Sequence, residues 1–91
     1  MQVVWDPRKA ASNFRKHGVD FADAVIALED ERALTILDSE RSEVRFKTLA
    51  SDPTGQILMI IHAEQSEDTI RIISARKALK REQEAYFQGE Q

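Results

Sequence analysis

Residues 44–74, VRFKTLASDPTGQILMIIHAEQSEDTIRIIS, decide the fold. Val44, Phe46 and Thr48 alternate with Arg45, Lys47 and Leu49, the two-residue period of a strand with a charged partner face. Asp52-Pro53-Thr54-Gly55 then marks a turn, since proline presets one turn dihedral and glycine accepts positive φ. Ile57 to His62 is mostly apolar, as a strand in the middle of a sheet must be. Gln65 to Asp68 reads as a second turn, and Thr69 to Ser74 as a β-branched strand. Strands joined by turns this short pair with their neighbours, so the stretch is an antiparallel meander.

Upstream, Leu34, Ile36 and Leu37 suggest another strand, closed by the polar run Asp38 to Glu43. Before it the period is helical. Asp6-Pro7 is a helix entry, because the carboxylate caps free N–H groups and proline suits the first helical position. His17-Gly18 is a helix exit, because glycine takes the left-handed conformation that ends many helices. A first helix should run from about Pro7 to Lys16, with Ala10, Ala11 and Phe14 as its inward stripe. Asp20 can cap a second helix, about Phe21 to Glu29, with Phe21, Ala24, Val25 and Leu28 at helical spacing. Val3-Val4-Trp5 reads as a short first strand. At the other end Ser74 can cap a helix from Ala75 to about Phe87. The order is β-α-α-β-β-β-β-α: a small antiparallel sheet with two N-terminal helices and one C-terminal helix, an α+β fold in one domain, residues 1–91.

Bulk properties narrow the setting. Ninety-one residues can bury one modest core. With no cysteine, there is no disulfide framework and no thiolate metal site, which favours the cytoplasm. The start lacks the apolar core of a signal peptide, and the longest apolar run, Ile57 to Ile61, is too short to span a bilayer. Net charge is −3, yet its distribution is uneven: residues 1–20 balance at +2, residues 21–44 at −5, and residues 45–91 at zero. Local patches rather than net charge decide phosphate contacts.

Several chemistries lack their signals. Two histidines, His17 and His62, are too few for a zinc site without cysteine, so no metal or other cofactor is expected. With three glycines and no Gly-rich phosphate loop, nucleotide cradling is excluded. There is no HExxH and no GxSxG. What remains is a set of basic groups on a small sheet. Arg45 lies mid-strand opposite Val44 and Phe46, and Arg71 shares a strand face with Thr69 and Ile73. Arg76 and Lys77 follow Ser74 at the expected strand-to-helix junction. If these strands are neighbours, Arg45 and Arg71 project from one face with Arg76 at its end. Such a cluster suits RNA cleavage by an internal 2′-hydroxyl, which needs a base, an acid and cations for the charge on phosphorus. Arginine fills the last role with forked donors. The plainer reading is that strand arginines keep the sheet from aggregating. Glu82 and Tyr86, four apart on the last helix, share a face and could pair with an arginine or a phosphate. Trp5 and Phe14 read as core.

These motifs resemble a known family. Trp5-Asp6-Pro7, Lys9, Asn13, Lys16-His17-Gly18-Val19 and Phe21 are followed by Arg45, by Arg71-Ile72-Ile73-Ser74-Ala75-Arg76-Lys77, and by Glu82 and Tyr86. In that order and spacing they resemble the BrnT family of ribonuclease toxins from type II toxin–antitoxin systems. The resemblance implies a RelE-like fold and a metal-independent endoribonuclease that arrests growth by blocking translation. It implies a BrnA-like antitoxin carrying a DNA-binding module, with operator DNA touched only through that partner. It implies a site of Lys16, His17, Arg45, Arg71, Arg76 and Tyr86, with Lys9 and Glu82 as further candidates. In that site Arg45 and Arg71 would hold the scissile phosphate and Arg76 would support them. His17 is the best general acid or base, because histidine as a residue type titrates near neutrality, assisted by Tyr86 or Lys16. The rival readings are a non-catalytic module that engages the antitoxin and tunes its DNA binding, and a structural domain stabilised as a homo-oligomer.

Overall fold

A computed structural model describes residues 1–38 and 43–89. Most of the polar run from Asp38 to Glu43 therefore lies outside the described residues. The elements are β1 (Gln2–Val4), α1 (Pro7–His17), α2 (Phe21–Ala27), β2 (Leu34–Asp38), β3 (Arg45–Ser51), β4 (Ile57–Ser66), β5 (Thr69–Lys77) and α3 (Lys80–Gln88). They form the expected α+β order. The five strands make one sheet in the order β1-β5-β4-β3-β2. Strands β2 to β5 are the antiparallel meander read from the sequence. β1 differs, pairing parallel to β5 with Val4 opposite Arg71, because α1 and α2 carry the chain away from that edge before the meander begins.

Helices α1 and α2 cover one sheet face. Phe21, Ala24 and Ala27 of α2 pack with Ala50, Leu58, Ile60, Ile72 and Ala75, and the Trp5 ring meets Phe21 edge-on at 6.1 Å. Burying Phe21 alone is worth roughly 1.5–3 kcal/mol. The other face holds a second core, where Tyr86 and Ala85 of α3 cover Leu49, Ile57, Met59 and Ala78. The caps are those expected: Asp6 accepts from the Arg8 N–H and Asp20 from the Ala22 N–H. Gly18, at φ 70°, closes α1 by donating to the Phe14 carbonyl at 2.8 Å.

Three local readings are corrected. Phe14 is not core: it is 55% exposed, and Ala11 is exposed too. The inward stripe of α1 runs instead through Ala10, Asn13 and His17. Asn13 is buried because β1 pairs only with residues 69–71, which leaves the β5 backbone beyond them unpaired on that side. Its side chain closes the gap. Nδ2 donates to the Ala75 carbonyl at 2.8 Å and to the Val19 carbonyl at 3.1 Å, and Oδ1 accepts from the Ala75 N–H at 3.1 Å. The last helix starts later than expected, and Ser74 is not its cap. β5 runs on to Lys77 because its ladder with β4 continues to Leu58–Lys77. Leu79 takes the N-cap position of α3, and Glu82 reaches back to accept from its N–H at 2.7 Å. Finally, α2 ends at Ala27 rather than Glu29, as the chain turns toward β2.

Candidate functional site: an arginine row and a cationic cleft

Cross-strand partners in a sheet project to the same face. Arg45 pairs with Ala63, and Ala63 pairs with Arg71, so the two arginines flank a small residue in one row. Two strand spacings, about 10 Å, separate their backbones. The next row holds Lys47, Ile61 and Ser74, and the one after it Leu49, Met59 and Arg76. All four cations therefore stand on the face that α3 covers only in part. Strict alternation would put Arg71 and Arg76, five residues apart, on opposite faces. A bulge prevents this: Ile61 pairs with Ser74 but His62 with Ile72, so Ile73 is an extra residue on β5.

Glu43, just before β3, links the row. Its Oε1 accepts from Arg45 Nε at 2.9 Å, and its Oε2 from Arg71 Nη2 at 3.0 Å. These contacts, the Arg45 hydrogen bond foremost, hold its pKa below the usual carboxylate range. Arg76 is placed differently. Its fork grips Glu82 with two bonds, at 2.9 and 3.0 Å, and its Nη1 also donates to the Lys77 carbonyl. The Glu82 hydrogen bond raises the pKa of Arg76, and the Arg76 bond lowers that of Glu82.

Lys9, Lys16 and His17 lie across the β5 edge. With Ser12, Asn13, Ile73 and Ser74 they line an open cleft of about 190 Å³. Ser74 belongs to both regions, since it lines the cleft and stands in the row of Lys47 and Ile61. The cleft thus opens at the border of the arginine-bearing face.

Tyr86 stands apart from both. It is buried under α3, and its hydroxyl donates to Asp30 Oδ2, which also accepts from the Ser51 N–H at 2.9 Å. Burial and the Asp30 bond raise its pKa. Burial opposes the charge on Asp30, yet the bonds from Tyr86, Ser51 and Arg32 outweigh it and hold that pKa low. Ser51 and Arg45 are six residues apart on β3, so the Tyr86 hydroxyl lies about 20 Å along the strand from the arginine row.

Two participants were not singled out from the sequence. Lys47 was visible only as part of an alternating charged face. Glu43 lay in a polar run with nothing to mark its partners. His62, at the end of the apolar stretch of β4, is buried on the opposite face. Its Nε2 bonds Thr48 Oγ1 at 2.8 Å, Thr48 bonds Thr35 at 2.8 Å, and its ring stacks on Phe46 at 5.7 Å. Its Nδ1 has no partner among the described residues, and burial lowers its pKa. Among the described residues no three His, Asp or Glu side chains are grouped as metal ligands, and no helix is long and apolar enough to cross a membrane.

The molecule is thus a small α+β domain that sets arginines on a sheet face beside a cationic cleft. The profile described as "Ribonuclease toxin, BrnT, of type II toxin-antitoxin system" matches residues 5–82, and the chain belongs to that family. Its fold is similar to that of the Brucella abortus ribonuclease toxin BrnT, solved by crystallography at 1.1 Å. The two superpose with a TM-score of 0.67 at 24% identity, over 88% of this chain and 99% of that one. No curated protein matches the sequence.

Proposed function

We propose that this chain is the toxin of its system, an endoribonuclease that cleaves RNA through attack by the 2′-hydroxyl on the adjacent phosphate. One observation carries the reading: in a chain of a ribonuclease family, Arg45 and Arg71 converge from two strands on a single anion. Two guanidiniums so placed can hold the non-bridging oxygens of a phosphodiester and stabilise the charge that builds there. The reaction needs no metal if an acid and a base flank that phosphate. His17 supplies one of these two groups from the cleft and Lys16 beside it the other, and Lys47 and Lys9 extend the cationic track to either side. Arg76 and Tyr86 serve by holding α3, Arg76 through Glu82 and Tyr86 through Asp30. The RelE-like label fits this sheet and these helices. A BrnA-like antitoxin with its own DNA-binding module would neutralise the toxin in the cytoplasm and carry the complex to its operator. Cleavage of RNA would then stop translation and growth when the antitoxin is lost.

Expression of the chain alone and with its neighbouring gene tests the reading. Growth arrest is expected only without the neighbour, with RNA fragments ending in 2′,3′-cyclic phosphates. Arg45→Ala, Arg71→Ala and His17→Ala should each relieve the arrest. Intact RNA in arrested cells, or arrest at full strength in all three variants, would refute it.

A further inference from the structure

We propose that the Glu43 carboxylate is a resident stand-in for phosphate. It occupies the fork of Arg45 and Arg71 in the free protein and must swing out before a phosphodiester can enter. The inference rests on the phosphate-binding reading of that fork. Three observations lead to it. The first is shape: two carboxylate oxygens accept from two guanidiniums, as two non-bridging phosphate oxygens would. The second is attachment. The Glu82 carboxylate, which pairs with Arg76, is anchored by the backbone N–H of Leu79 at the N-cap of α3, and its side chain is 15% exposed. The Glu43 side chain is 42% exposed and precedes β3, outside the sheet ladder, so the pair can open without disturbing an element. The third is charge. Its lowered pKa keeps Glu43 ionised near neutrality, so a change of pH there does not vacate the fork. A competing anion does.

The arrangement has two effects. It holds two like-charged side chains extended and aligned across Ala63, which lowers the ordering cost when substrate arrives. It also makes every incoming anion compete with an internal one, so weak anions are excluded.

Binding of uncleavable ligands separates this idea from catalysis. Wild type, Glu43→Gln and Glu43→Asp would be titrated with inorganic phosphate and with a 2′-deoxy dinucleotide, which lacks the attacking hydroxyl. The readout is the arginine Nε–H signals in NMR spectra. Glu43→Gln should bind both ligands roughly three- to tenfold more tightly, the scale of losing one charge-assisted competitor. Glu43→Asp, too short to span both guanidiniums, should gain less. Glu67→Gln removes the same charge from an exposed turn and should gain nothing. In the wild type, added phosphate should shift the Arg45 Nε–H signal, and Arg71→Ala should abolish the tightening. Equal or weaker binding by a folded Glu43→Gln overturns the proposal, as does an equal gain in Glu67→Gln. A Glu43→Gln that binds no tighter and no longer cuts RNA also overturns it, marking Glu43 as a participant in the chemistry. If wild type cuts no RNA but Glu43→Gln tightens binding, the ribonuclease reading falls and the stand-in remains.

Discussion

Arg71 reaches Glu43 from across Ala63 with one arm of its fork, and a lysine there would keep the charge but lose the fork. Arg71→Lys should therefore cut RNA at least about 10-fold more slowly, and Arg71→Ala about 100-fold or more, the usual cost of removing a donor to a developing oxyanion. Cleavage assays on a short RNA would show it, and an Arg71→Lys variant at wild-type rate would contradict the forked role. Asn13 allows a second test. Asn13→Ala leaves the buried N–H and C=O of Ala75 without partners. Each costs about 1–3 kcal/mol, so urea unfolding should show a loss of at least about 2 kcal/mol. His62 sets a pH dependence. Burial holds its pKa below the ordinary 6.5, so the unfolded chain takes a proton at a pH where the folded chain does not. Stability is full above pH 6.5 and falls as pH drops below it. The urea midpoint should fall between pH 7.5 and 5.5 in wild type and stay flat in His62→Gln. Arg45, Arg71 and His17 were legible as candidates because cations on a strand and at a helix exit have few other duties. Glu43 was not, since one carboxylate in an acidic run carries no mark of which cation it will meet. Arg76 was expected at the end of the face that bears Arg71, but that it sits within β5 on that face was hidden, because a bulge changes parity and leaves little trace in sequence.

At the scale of elements, the strand and helix order followed from periodicity, and the ends that failed did so through tertiary pairing. Residues 75–79 suit a helix locally, yet β4 and Asn13 claim the backbone through Lys77 for the sheet. α1 misled in a similar way: Phe14 looked like its anchor, while the buried position belongs to a polar side chain that serves a strand edge. α3 is tied down at both ends, by Arg76–Glu82 near its start and Tyr86–Asp30 near its finish. Tyr86→Phe keeps the ring in the core and removes the bond to a charged oxygen. It should lower stability by about 1.5–3 kcal/mol. RNA cleavage well below the melting temperature should be unchanged, because the hydroxyl lies far from the arginine row. A collapse of cleavage in folded Tyr86→Phe would put this tyrosine back among the reacting groups.

Taken whole, the molecule is acidic, with a net charge of −3 and an isoelectric point near 5.3. Six of its thirteen lysines and arginines stand on half of one face or line the cleft at its edge, while residues 21–44 carry the acidic excess. Binding to RNA should then depend on few phosphate contacts. With two or three neutralised phosphates, the plot of log affinity against log salt should have a slope of roughly −1.4 to −2, on the single-strand scale. Filter binding of Arg45→Ala should lower that slope by about 0.7, and a steep wild-type slope would show that the footprint is larger. The parallel pairing of β1 with β5, and the tie from Asn13 to Ala75, join segments that are more than sixty positions apart in the sequence. The first strand and first helix thus have no sheet edge to dock on until the last strand has been made. A chain still emerging during synthesis cannot complete the arginine row, and a fragment stopped before Arg71 would be both unstable and harmless. Under the proposed function, the lateness of that closure is itself a form of restraint on a toxin during its own synthesis.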